Sequence, residues 1–404
     1  MKIFKYVILG AGPSGLSIAH ALVTKGVALE SILVVEKENE AGGLCRSKAV
    51  EGAPLDIGGG HFLDIKNKKV VDFLQNFLHE NEWQEFNRVA KINIFHQHID
   101  HPFEANLWQL PVDLQVNFLE SVAQSGFAKG NQMPANFEEW VRWKFGERIA
   151  DDYLLPYNRK IWSMELSRLG IYWLYKLPDV SFREILYSCL QSKAHGKIPA
   201  HAKFLYPKNY GYGEVWKRMG DALGKSLRLG IELSSLDCET LIINNQWKAE
   251  TIISTIPWMS FCNTCNLPGQ VVDLISQLIN VGIDIDYFDE NIESDAHWIY
   301  EPHDNVIHHR KLLRKNFLIG SRGYWTETNT LRSKPKKGFR HTNPFAYPVN
   351  TIDKPKVIQS IAQWAHSKNI IPLGRWGKWE HMNSDVAVAE ALELAHTLYP
   401  SDTR

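Results

Sequence analysis

The residues of this chain most suited to chemistry begin at its tenth position. Gly10-Ala11-Gly12-Pro13-Ser14-Gly15 follows the apolar run Tyr6-Val7-Ile8-Leu9 and forms a G-x-G-x-x-G turn. In such a turn the first glycine permits the tight bend, and Gly12 lets the backbone approach a pyrophosphate. Gly15 lets the following helix, expected over 14–22, pack close to the strand. Ser14 stands where free N–H groups and the helix dipole favour an anion. A second apolar run, Ile32-Leu33-Val34-Val35, ends in Glu36, the position from which a carboxylate binds a ribose diol. These residues point to a dinucleotide. Two further glycine-rich segments, Ala41-Gly42-Gly43-Leu44-Cys45-Arg46 and Gly58-Gly59-Gly60-His61, are tight enough for backbone to touch a ligand.

The elements that must position these groups are those of a multi-domain globular protein. A chain of 404 residues suggests two or three domains, and 44% hydrophobic with 22% charged residues is ordinary globular composition. Its 45 basic and 45 acidic residues cancel, which argues against general binding to nucleic acid or a membrane surface, so an anion site must be a local basic pocket. The N-terminal run belongs to a first strand rather than a secretory signal, and no run approaches the ~18 apolar residues of a membrane span. Five cysteines, an odd number, make no disulfide framework and fit a reducing cytoplasm. Cys262 and Cys265 have C-x-x-C spacing without a second pair, and are not read as a metal or redox site.

Hydrophobic periodicity predicts a mostly helical stretch over 69–192, with amphipathic helices near 70–79, 114–124 and 137–154. Strand patterns follow at 226–236, 240–244 and 251–257, the last resembling a strand that returns to the cofactor domain. Antiparallel sheet is expected over 280–300, and the polar, basic stretch 321–343 reads as an irregular loop. The fold class is α/β. A discontinuous Rossmann-type FAD-binding domain is expected over 1–66, 205–258 and 365–404. A mainly helical domain would take 67–200, and an antiparallel-sheet region covering the substrate 259–364.

The choice of FAD rests on a resemblance. Glu36 followed by Gly42-Gly43-Leu44-Cys45-Arg46 is similar to the corresponding stretch of FAD enzymes of the amine-oxidase and mutase kind, with Gly43, Leu44 and Arg46 near the phosphates. Further segments resemble the UDP-galactopyranose mutase family, in order and over nearly the whole chain. They are Gly59-Gly60-His61-Phe62; His101-Pro102-Phe103-Glu104-Ala105-Asn106; Phe145-Gly146-Glu147 with Pro156-Tyr157-Asn158-Arg159-Lys160-Ile161-Trp162; and Tyr206-Pro207-Lys208 with Gly211-Tyr212-Gly213. They continue with Trp298-Ile299-Tyr300-Glu301-Pro302 and Arg310; Tyr347-Pro348-Val349-Asn350; and Gly374-Arg375 running on to Asp385. The resemblance implies a redox-neutral exchange of pyranose and furanose rings on a UDP-sugar such as UDP-galactose, with reduced FAD as the nucleophile and NAD(P)H as the reductant. It makes Arg310 and Tyr347 diphosphate contacts and sets His61 at the flavin edge. Phe103, Tyr157 and Trp162 would meet nucleotide and sugar, and Gly60, Gly374, Arg375 and Asp385 would hold the cofactor. On residue type alone, Tyr157 and Trp162 read as core, and Arg310 as part of a solvated basic face. The oligomeric state stays open, with a homodimer as the candidate.

The chain departs from the family in ways that bear on the substrate. Trp379 and His381 replace two tyrosines of the terminal segment, and Asn383 replaces an aspartate. No arginine follows Trp173-Leu174, where only Lys176 is near, and a lysine is a point charge rather than a bidentate fork. Glu104 stands where some members have glutamine, adding a negative charge. His381 would be both a diphosphate contact and a catalytic candidate, and Asn383 and Lys176 substrate contacts. The competing class is an FAD-dependent oxidoreductase of the amine-oxidase or protoporphyrinogen-oxidase kind.

Overall fold

A computed structural model of the chain describes residues 1–174, 180–196 and 202–400. Strand Lys2–Leu9 pairs in parallel with Ile32–Val35 on one side and Trp247–Ser254 on the other. Leu227–Arg228 and Ile370–Pro372 extend this sheet in parallel, and two short antiparallel strands, Leu236–Asp237 and Ile242–Ile243, complete it. The strands at its centre are unbroken apolar runs because both faces are covered. Tyr6, Ile8, Ile32 and Val34 face one core, while Val7, Leu9, Leu33 and Val35 face a second. Helix Pro13–Thr24 starts directly after the glycine turn and packs against the C-terminal helix Ser384–Leu398.

A second seven-stranded sheet runs in the order Arg340–Pro348, Asn280–Phe288, Tyr324–Asn329, Arg310–Leu313, Trp298–Tyr300, Ala90–Ile94, Gln97–Asp100. It is antiparallel except where Trp298–Tyr300 meets Ala90–Ile94. A smaller sheet joins Leu63–Asp64, Lys203–Pro207 and Trp83–Asn87. The helical layer comprises Val112–Ala123, Phe137–Ile149, Leu155–Trp162 and Phe182–Gln191, with a wide turn at Ala150–Leu154 joining the second to the third. Asn136 caps Phe137–Ile149 by accepting from the Glu139 amide at 3.0 Å, satisfying one orphan donor of the first turn. No helix of the described residues is long and apolar enough to cross a membrane.

Two expectations need correction. Three strands, Trp83–Asn87, Ala90–Ile94 and Gln97–Asp100, interrupt the stretch read as mostly helical. In Ala90–Ile94 burial alternates residue by residue, the period of a strand with one covered face. The stretch 321–343 is loop only at 321–323 and 330–339. Its polar residues form strand Tyr324–Asn329 and the start of Arg340–Pro348, and Thr326, Glu327, Thr328 and Asn329 are all buried. Composition misled there because these polar side chains find partners inside the protein.

Candidate functional site

The glycine turn opens a cleft of about 640 Å³ along the carboxyl ends of the parallel strands. Gly10, Gly12, Ser14, Glu36, Gly43, Leu44, Arg46 and His61 line it, together with Arg375 and Asn383. Gly15 acts from behind: a Cβ there would lie 2.0 Å from the Gly10 carbonyl oxygen, so only glycine lets this helix sit against the strand end. Gly374 is similar, since a Cβ would meet Ser14 Oγ at 2.0 Å. Neither side chain cap nor acidic residue covers the start of helix Pro13–Thr24, and the C-terminal helix begins at Asn383 without a side-chain cap bond. Both helix starts face the cleft through Pro13, Ser14, Asn383 and Ser384, where the helix dipole favours an anion.

Glu36 accepts the Ala11 amide at 2.8 Å and the Glu38 amide at 3.0 Å, which orients its carboxylate at one end of the cleft. Arg46 is turned back on the protein, donating to the Gly43 carbonyl and to Glu38 at 3.1 Å. Ile231, Leu233, Ile256 and Met259 supply an apolar wall. At the other end lie His61 and Arg375, whose guanidinium is pinned by the carbonyls of Ala346 and Met382. Burial and the nearby Arg375 charge hold the His61 imidazole down to about 4, so it is neutral at physiological pH. An elongated groove, two uncapped helix starts, a glycine cradle and a carboxylate at the far end fit FAD. Asp385 lies in the first turn of the C-terminal helix outside the cleft, where its charge complements the helix dipole. Gly60 does not line the cleft either, because its amide donates to Glu327.

Beyond His61 lies a second group, built on the antiparallel sheet. Arg310 and Glu327 are direct cross-strand partners. Arg310 donates from Nε to Oε2 at 3.0 Å and from Nη2 to Oε1 at 2.8 Å. The Glu327 side chain is 0% exposed and that of Arg310 20%, so the arginine stays partly accessible. Among the described residues its Nη1 has no hydrogen-bond partner. Burial would raise the Glu327 carboxyl, but Arg310 and a hydrogen bond from His309 hold it down to about 2. Tyr347, on the strand Arg340–Pro348, lies near the same carboxylate. Burial and that charge push its phenol up to about 12, so it stays a donor. Trp162 packs edge-on to Tyr347 at 6.3 Å, and Tyr157 meets Tyr300 at 5.4 Å and His309 at 6.2 Å. The His381 ring lies 5.0 Å from that of Tyr347.

The structure thus groups His61, Arg310, Tyr347, Tyr157, Trp162 and His381 around the Arg310–Glu327 pair, and it separates others from it. Phe103 is wholly buried between Phe118 and Tyr153, a core contact rather than a substrate contact. Trp379 is 0% exposed and stacks edge-on to Trp376, so its substitution lies in the second core and not in the site. Asn383 lines the dinucleotide cleft. Glu104 is buried, and burial lifts its carboxyl to about 7, so the extra charge read from the sequence is largely quenched near neutrality. Lys176 lies outside the described residues. Arg310 does not belong to a solvated basic face: His309 beside it is buried and Lys311 is paired with Glu301 at 2.6 Å. Glu327 was missed altogether, although the alternating, β-prone Tyr324-Trp325-Thr326-Glu327-Thr328 carries the signal of a strand.

Comparison with known proteins follows this geometry. A family model for an NAD(P)-binding Rossmann-like domain matches residues 8–77. The UDP-galactopyranose mutase of Mycoplasma pneumoniae is 39% identical over 83 residues, a stretch that spans only 20% of this chain and 20% of that protein. The dTDP-fucopyranose mutase of Escherichia coli is 21% identical over 422 residues, covering 97% of both chains. The crystal structure of reduced UDP-galactopyranose mutase superposes with a TM-score of 0.87 at 20% identity, over 98% of this chain and 94% of that one. The chain is an α/β protein with the fold of UDP-galactopyranose mutase. Over nearly its full length it is also similar to a dTDP-sugar mutase.

Proposed function

We propose that the protein is an FAD-dependent mutase that interconverts the pyranose and furanose forms of a nucleoside-diphosphate sugar. The observation that carries this reading is Arg310, held in a bidentate grip with Nη1 left over, beside a phenol donor and at the His61 end of a dinucleotide cleft. An apolar amine substrate would have no use for that arrangement, which speaks against the oxidoreductase alternative. The full-length similarity to a dTDP-sugar mutase adds support and widens the nucleotide to UDP or dTDP.

When bound, reduced FAD supplies the nucleophile for the anomeric carbon, and NAD(P)H is the proposed external reductant. The chain's own residues do the rest. Arg310 Nη1 and the Tyr347 hydroxyl take up the charge that develops on the diphosphate as it leaves. Holding the freed nucleotide keeps its return effectively intramolecular. With Nδ1 donating to the Gly59 carbonyl at 3.3 Å, the neutral His61 keeps Nε2 as a hydrogen-bond acceptor in the cleft, where it would help orient the bound cofactor. Tyr157 and Trp162 supply the aromatic walls that exclude water from the sugar.

The test is to reduce the purified holoenzyme anaerobically with dithionite and add UDP-galactofuranose, then dTDP-fucofuranose, separating products by anion exchange. Conversion to a pyranose form only under reducing conditions is the expected result. No conversion of either nucleotide sugar, together with bleaching of the oxidised flavin by an amine, would transfer the chain to the oxidoreductase class.

A further inference from the structure

Glu327 is buried at the joint between the two ends of the site, and no step above uses it. Its carboxylate takes bonds from two parts of the chain and has a third close by. Arg310 on the neighbouring strand donates from Nε to Oε2 and from Nη2 to both oxygens, with His309 Nε2 at 3.3 Å beside it. Tyr347 approaches from a strand two places across the sheet. The Gly60 amide donates from the turn that carries His61. The decisive detail is the shared atom. Arg310 Nη2 and the Gly60 amide both end on Oε1, each at 2.8 Å. The turn is also pressed onto this carboxylate, since a Cβ on Gly59 would lie 2.6 Å from Oε1.

We infer that Glu327 is a positioning residue that couples the diphosphate-binding arginine to the Gly59–His61 turn, so that anion occupancy at Arg310 is felt at the flavin edge; this rests on the reading of Arg310 as the diphosphate contact. A carboxylate offers about four acceptor positions, and here all are engaged. An incoming diphosphate competes with Glu327 for the guanidinium. Whatever Arg310 concedes, Oε1 redistributes toward Gly60, because one oxygen serves both donors. The same carboxylate cancels the arginine's charge in the empty site and so limits how tightly product is retained.

The substitution Glu327→Gln separates these effects. The amide oxygen can still accept from Gly60, but the amide nitrogen is a donor facing a guanidinium that has only donors. The test uses FAD-loaded protein and inorganic pyrophosphate as the probe, with affinity read by calorimetry and coupling by the flavin absorbance spectrum. In the wild type, pyrophosphate should bind and perturb the flavin spectrum. In E327Q it should bind about fivefold tighter, because one neutralising charge is gone, while the flavin perturbation is largely lost. E327Q with wild-type affinity and a wild-type spectral response would overturn the inference. Hydrogen exchange on the wild-type holoenzyme covers the case in which E327Q fails to fold. Protection of the 57–62 turn should change when pyrophosphate is added, and an unchanged turn would overturn the coupling. Neither readout needs turnover. If both are positive while no sugar nucleotide is converted, the mutase reading falls and the coupling stands. If pyrophosphate does not bind the wild type, the coupling falls whatever the reaction.

Discussion

The dinucleotide cleft and the arginine–glutamate group lie side by side but are built in opposite ways. The cleft is made mainly of backbone: a glycine turn, two helix starts and the ends of parallel strands. Its requirements are local and steric, so they leave a short signature such as Gly10-x-Gly12-x-x-Gly15. The second group is made of side chains that meet only because a sheet sets Arg310 opposite Glu327 and brings Tyr347 in from another strand. Its requirement is electrostatic balance between residues far apart in the chain, and no short motif can express that. Backbone sites should therefore fail by sterics and all at once, whereas the side-chain group should fail by degrees and through charge.

The largest effect expected is that of Gly15→Val. Its Cβ would sit on the Gly10 carbonyl oxygen, prying the helix from the strand, and the variant should purify without yellow colour or remain insoluble. A flavin-to-protein ratio equal to wild type would show that the cleft is not held together by this contact. Arg310→Ala comes next. It strands the Glu327 carboxylate, buried and without its counter-charge, at a cost of about 3–5 kcal/mol. Urea midpoints should fall accordingly and UDP affinity should drop by roughly 100-fold. Retention of affinity would remove Arg310 from the diphosphate site.

A smaller effect distinguishes charge that is balanced from charge that is merely buried. Burial raises Glu104 to about 7, whereas opposing charge keeps Glu327 near 2. Folded Glu104 holds its proton up to about pH 7 and the unfolded chain releases it near 4.5, so its contribution to stability is complete below about 4.5 and is lost as pH rises through 7. Asp56, also raised by burial to about 7, acts in the same sense. The contributions of these two carboxyls should thus decline between about pH 4.5 and 7. Buried histidines such as His61, lowered to about 4, act in the opposite sense, so the decline is read as the difference in urea midpoint between wild type and variant. Glu104→Gln should flatten that decline by on the order of 2–3 kcal/mol, and an unchanged slope would mean that the carboxyl is solvated in the folded protein. His381→Tyr should do least, altering UDP affinity only a few-fold, because a phenol can occupy the same place against Tyr347 and still donate. A change of tenfold or more would make His381 a principal phosphate contact.

Legibility followed the same division. Strand Lys2–Leu9, the glycine turn, Glu36 and the strand near 251–257 could be read because a buried parallel strand is a plain apolar run and a phosphate cradle needs glycines at fixed spacing. Tyr324–Asn329, inside the 321–343 stretch, reads as loop because its buried residues are polar, and they can be buried only where partners such as Arg310 await them. Phe103 and Trp379 were assigned to the site by position within motifs, yet chain direction does not tell a residue which side of an element faces the core. Neighbours within one motif, His381 and Trp379, end in different environments two residues apart.

What the sequence by itself determined is the class of fold and the place of the dinucleotide cleft, because both follow from sterics and burial over a few consecutive residues. Only the tertiary structure decided that Arg310 is held by Glu327, that Tyr347 and His381 stand together, and that one carboxylate oxygen serves both the arginine and the His61 turn. Those are facts of register between distant strands, where a shift of one residue turns each side chain to the opposite face.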